Sequence, residues 1–173
     1  MNPKASGRIW SLALAAGVIA LDQLSKALAL SRLGAEGVSY PLLPWLDATL
    51  VLNRSNAFGV VPVQGDISRW GLAVFNLLVA AALIWWVCRR PRRASSWMAA
   101  AFLIAGAAGN AIDRIRLGQV IDFLDLSRIG FHWVFNLADA SVDAGIGFMI
   151  LSVLTDAKAD EGRRSTTSEP GVR

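Results

Sequence analysis

The chain has 173 residues, of which 54% are hydrophobic and only 17% charged, with a formal net charge of +4. That low charged fraction and a positive mean hydropathy exclude an ordinary soluble domain of this length. The Lys and Arg residues form no basic stripe with interleaved aromatics, so the positive charge is no nucleic-acid footprint either.

In chain order, the first apolar segment covers about residues 9–30 and is interrupted near its end by Asp22, Gln23 and Lys26. Lys4 and Arg8 precede it, and Ala27-Leu28-Ala29 has the small-x-small form of a signal-peptide cleavage site. A signal peptide should be neutral at that depth, however. Asp22 and Lys26, four residues apart, share a helix face instead. The segment is therefore read as a spanning helix.

Residues 38–58, VSYPLLPWLDATLVLNRSNAF, mix Pro, Trp, β-branched residues and Asn, which predicts short strands and turns, a small platform outside the bilayer. Residues 70–88 and 94–112 follow, each without a charge and each long enough to cross a hydrocarbon core of roughly 30 Å as a helix. The stretch 119–129, QVIDFLDLSRI, lies between Gly118 and Gly130 and is expected to form a strand or a mobile flap. The last span is expected over about 134–155, with Asp139 and Asp143 in its first turns. The polar stretch 156–173 has no apolar period and is expected to be a disordered tail on a 1–155 membrane domain.

The fold expected is thus an all-α membrane protein of four transmembrane helices with a small extracytoplasmic β and loop platform. The run CRRPRR at 88–93, with Lys4, Arg8, Lys158, Arg163 and Arg164 on the same side, places both termini in the cytoplasm. Cys88 is the single cysteine, which excludes an intrachain disulfide and suits a packing role.

On this topology the acids converge. Asp139 lies roughly 25 Å along a helix from Asp156, and Asp22 roughly 21 Å along one from Arg8. Asp113 tops the third span and Asp122 lies just beyond it. Four separate elements thereby bring carboxylates to one side of the membrane. Acids at membrane depth are costly and tend to mark function. The plainer alternative is that Asp139 and Asp143 serve a helix dipole and the rest are helix-end charges; for Asp125 and Asp143 that alternative is preferred.

A lone His132 leaves little for a multi-histidine metal site or a Ser-His-Asp triad, and Ser25 and Lys26 are adjacent and so point in different directions on a helix. Two aspartates remain the economical option. Close together they cannot both ionise, so one can activate a water while the other, neutral, polarises a carbonyl. A proton-coupled transporter would stagger its acids through the bilayer, and a membrane scaffold would leave the ordered polar blocks without a purpose.

Five blocks in order, LDQLSK at 21–26, VLNRSNAFG at 51–59, AGAAGNAIDR at 105–114, VIDFLDL at 120–126 and FNLADAS at 135–141, resemble the lipoprotein signal peptidases, the signal peptidase II family. The resemblance implies an aspartyl peptidase of the bacterial inner membrane; two aspartates can hydrolyse a peptide without a metal or cofactor, and nothing in the sequence demands more than a monomer. Such an enzyme cleaves diacylglyceryl-modified prolipoproteins on the N-terminal side of the lipidated cysteine. Matched by motif, the catalytic pair is Asp122 and Asp139. Asn53, Asn110, Arg114 and Asn136 match positions that line the site, Asp22 and Asp113 match supporting acids, and Lys26 follows Asp22 as in the family. Ser55 departs from the glycine usual in the second block, and Asn56 is also unusual.

Overall fold

The computed structural model describes residues 3–54, 66–89 and 94–167. Ser55, Asn56, residues 90–93 of the basic run and the last residues of the polar tail lie outside that set.

Four helices, α1 (Pro3–Arg32), α2 (Asp66–Arg89), α3 (Ala94–Leu117) and α4 (Leu137–Thr167), are each long and apolar enough to cross a membrane. The protein is therefore a multi-pass membrane protein. Helix α3 is its axis: 56% of its apolar window is buried, against 17–22% for the other three. The cause is residue size. Lipid is as apolar as the helix surfaces, so association relies on close packing and interhelical hydrogen bonds rather than on a hydrophobic gain. The buried face of α3 supplies that closeness with Ala99, Ala100, Ala101, Ala105, Gly106, Ala107, Gly109 and Ala111. At Gly106 a methyl group would stand 2.5 Å from the Ala138 carbonyl oxygen of α4. The bulky apolar side chains of α2, such as Phe75, Leu78 and Trp85, point outward instead.

The four strands β1 (Ser39–Leu43), β2 (Leu46–Asn53), β3 (Val120–Asp125) and β4 (Val134–Phe135) form one antiparallel sheet in that order. It sits at one end of the bundle. Leu50, Ala48 and Ile121 pack on Ala29 in the last turn of α1 and on Leu33 just after it, which fixes the sheet to the helices. Gly118, at φ 77°, ends α3 and turns the chain into β3, its N–H bonded to the Arg114 carbonyl at 3.0 Å.

The platform of short strands expected over 38–58 is present as β1 and β2, and VIDFLD is a strand rather than an irregular flap. The fourth span begins at Leu137 rather than 134, because Val134 and Phe135 pair with Asp125 and Leu124 and become β4. Helix α4 also runs on to Thr167, so the polar stretch expected to be disordered from 156 begins as helix.

Candidate active site

At the sheet end of the bundle, β3 and α4 each bring one aspartate to a common cluster. Asp122 faces Val51 across the β2–β3 ladder and is 2% exposed. Both its oxygens accept amide N–H groups, Oδ2 from Asn53 Nδ2 at 3.0 Å and Oδ1 from Asn136 Nδ2 at 2.6 Å. Asp139, in the first turn of α4, is half-buried. Its Oδ1 accepts from Asn110 Nδ2 at 2.8 Å and its Oδ2 from the Asn136 backbone N–H at 3.3 Å. The two orienting amides also meet, with Asn136 Nδ2 3.3 Å from Asn110 Oδ1.

Burial pushes the Asp122 carboxyl up to about 6. The neighbouring Asp139 charge adds to the rise, and the amides of Asn53 and Asn136 hold it back. A carboxyl held towards neutrality beside a second carboxyl can serve as one half of an acid–base pair.

Beneath the pair lies a buried ionic cluster. Lys26 Nζ is 2.9 Å from Asp22 Oδ2, 2.8 Å from Asp113 Oδ2 and 3.1 Å from Asn110 Oδ1, and all three charged side chains are at most 2% exposed. Removing one member of such a cluster typically costs about 3–5 kcal/mol, because the others stay buried and unpaired. Asp22 Oδ1 also accepts the Ala138 N–H of α4 at 2.9 Å, and Asp113 Oδ2 the Ile121 N–H of β3 at 3.3 Å. The cluster therefore fixes the two elements that carry the aspartates. Gly109 allows it, since a methyl group there would stand 2.7 Å from Asp22 Oδ2. Arg114 is buried on α3 within electrostatic reach of Asp139, Asp122 and Asp113, and one guanidinium N–H donates to the Asn110 carbonyl at 3.3 Å.

All nine site residues expected from the sequence thus belong to one connected region. Asp143 is exposed on α4, and Asp125 joins Thr49 and Ser127 in a separate polar cluster on the sheet. Two contributors were not foreseen. Gln23 donates to Asp113 Oδ1 at 2.9 Å and to Asp22 Oδ2 at 3.2 Å, while its own oxygen accepts from Arg116. Arg69 of α2 donates to the Arg114 and Ile115 carbonyls at 2.8 and 2.6 Å, closing the end of α3 from outside. An amide inside the charged LDQLSK block was a signal for Gln23; nothing local marked Arg69.

Comparison with known proteins places the chain among relatives. A family profile described as Signal peptidase (SPase) II matches residues 14–155. The lipoprotein signal peptidase of Caulobacter vibrioides is 40% identical over 80% of this chain and 83% of its own length. That of Synechococcus sp. (strain RCC307) is 42% identical over 87% and 97%. A solved bacterial membrane enzyme superposes with a TM-score of 0.75 at 27% identity, covering 94% of each chain.

Proposed function

The chain belongs to the signal peptidase II family, and from that premise we propose that Asp122 and Asp139 are the catalytic pair of an aspartyl endopeptidase. Its substrate is a diacylglyceryl-modified prolipoprotein, cut on the N-terminal side of the lipidated cysteine. One carboxylate takes a proton from water as it attacks the scissile carbonyl. The other, protonated, donates to the carbonyl oxygen and then helps protonate the leaving nitrogen, so the pair exchanges roles within one turnover. Because the carboxylates are coupled, their titration belongs to the pair.

The observation that carries this reading is that two aspartates from different elements have their oxygens aimed by a shared residue, Asn136. The wider setting supports it. Asp122 is enclosed where a dry, polarising acid is useful, while Asp139 is open enough for water to reach. Arg114 and Asn53 stand beside the pair, suited to hold the substrate main chain. Arg favours such carbonyl and carboxylate contacts through its planar fork of donors.

The Lys and Arg distribution supports both termini on the cytoplasmic side of a bacterial inner membrane, which gives the sheet and the aspartates to the periplasmic face. There the lipid of the substrate stays in the bilayer while its peptide bond meets water. Nothing in the reaction needs a second copy of the chain.

The test is cleavage of a purified diacylglyceryl-modified prolipoprotein in lipid, comparing wild type with Asp122→Asn and Asp139→Asn. Each folded variant should lose several orders of magnitude in rate. Cleavage that persists in either one moves the chemistry away from the pair.

A further inference from the structure

The far end of the sheet carries a group of large apolar side chains that the fold leaves open. Leu42, Leu43 and Trp45, on and beside the β1–β2 turn, are 45–56% exposed, and Ile129, Phe131 and Trp133, between β3 and β4, are 49–65% exposed. Strand register brings the two groups together. Asp47, two residues after Trp45, lies opposite Asp125, and Asp125 lies opposite Val134, the residue after Trp133. Arg128 then fastens the two connections, its Nε 2.7 Å from both oxygens of Asp47. Phe131 packs edge-on to both Trp133 and Phe135, which stiffens its own loop without covering it.

We propose that this end of the sheet is seated in the headgroup and upper acyl region of the bilayer that the four helices cross. The chain sets the distance. Trp133 precedes Leu137, the first residue of the spanning helix α4, by four residues, so it stays within roughly 13 Å of the helix end. Leu28 and Leu30 of α1, on either side of the Ala29 that packs under the sheet, are exposed as well, so the helix end nearest the sheet already presents apolar side chains to lipid. Its composition fits this layer. Two indoles offer an apolar body with a polar N–H, and Arg128 and His132 stand among the apolar residues to meet headgroups. Contiguous apolar surface left open to water would be an aggregation liability, which membrane seating removes.

The consequence is that β3, which carries Asp122 and ends at this anchored tip, is held at a fixed depth by two attachments, the helices at its start and the sheet tip at its end. This location does not depend on the reaction assigned to the aspartates, so its test uses no turnover. Nitroxide labels are placed by Trp45→Cys and Trp133→Cys in a Cys88→Ser background, with the protein in phospholipid vesicles. Oxygen, which concentrates in lipid, should relax both labels several-fold more effectively than a water-soluble nickel chelate. The nickel chelate winning at either position overturns the proposal. A photoactivatable phospholipid with unsubstituted protein gives a second reading, free of any effect of substitution on folding. Adducts should map to peptides containing residues 42–45 and 129–133, and adducts confined to the four helices would place the sheet tip in water or against another protein.

Discussion

Asn136 and Asp139 cap one another across the start of α4. The Asn136 Oδ1 accepts the Asp139 N–H at 3.0 Å, and the Asp139 Oδ2 accepts the Asn136 N–H at 3.3 Å. This reciprocal pair is a capping box, in which the first and fourth residues of a helix start satisfy each other's orphan donors. One of the two aspartates is thereby part of the helix cap itself. Its carboxylate is oriented by backbone geometry rather than by a free rotamer.

Because Asn136 serves the cap with its oxygen and Asp122 with its nitrogen, substitution can separate the two roles. Asn136→Ala should lower stability by about 1 kcal/mol through the lost cap and reduce kcat on the order of 100-fold through misplacement of both carboxylates. Asn136→Asp keeps the capping oxygen but sets a third carboxylate against Asp122. It should melt closer to wild type than Asn136→Ala and still cleave slowly. A wild-type rate in Asn136→Asp would mean that the amide does not orient the pair.

Asp122 titrates near 6 in the fold, above the 3.8 expected of a free carboxyl. With the folded value raised, the protonated form favours the fold. Wild type should therefore lose stability as pH rises from about 4 to about 6, by an amount on the order of 2–3 kcal/mol at most. Asp122→Asn cannot pay this cost. Its melting temperature relative to wild type should rise between pH 4 and pH 7, as read by thermal unfolding in one detergent. Parallel melting profiles for the two proteins would show that Asp122 ionises freely.

Gly109 is where α3, α4 and the Asp22 carboxylate converge, and a methyl group would also stand 3.1 Å from the Ala138 Cβ. Gly109→Ala should cost about 1–3 kcal/mol as overpacking and depress cleavage, since the shifting atoms are those that hold Lys26 and the start of α4. Gly17→Ala on α1 is the matched control, because a methyl group there meets nothing within 4 Å. Equal stability and activity in the two variants would mean that α3 has slack at this point.

Much of this was legible from the chain, for reasons that differ by residue. The second and third spans follow from uninterrupted apolar length, the first and fourth from apolar length despite a few charges near their outer ends, and the tight packing of α3 from the small residues of AGAAGNA. That acids gather at one end follows from counting along helices. The choice of Asp122 with Asp139 rests on motif resemblance; topology alone only favours Asp122 over Asp125 as one of the acids converging on the outer face. The structure separates them physically: Asp122 is met by two side-chain amides, whereas Asp125 accepts from Thr49 and Ser127 within the sheet. Arg69 was illegible because its role depends on which helix end lies beside α2, a contact between residues 45 apart. Val134 and Phe135 read as helix because apolar periodicity ignores strand pairing; their neighbours in β3 decide otherwise.

The Lys26 cluster also bears on how the protein enters the bilayer. Lys26 meets Asn110 from 84 residues further along the chain, so an α1 that entered lipid ahead of α3 would carry Lys26 without that partner. Asp22, one turn away, lets α1 cross as a helix carrying its own counter-ion, and this lowers a transfer cost of about 2.5–3.5 kcal/mol for each charge at mid-membrane. When α3 arrives with Asp113, the ammonium gains a second carboxylate without leaving the first. The same salt bridge that later steadies the aspartates is thus the passport of the first helix, carried from the earliest stage of biogenesis.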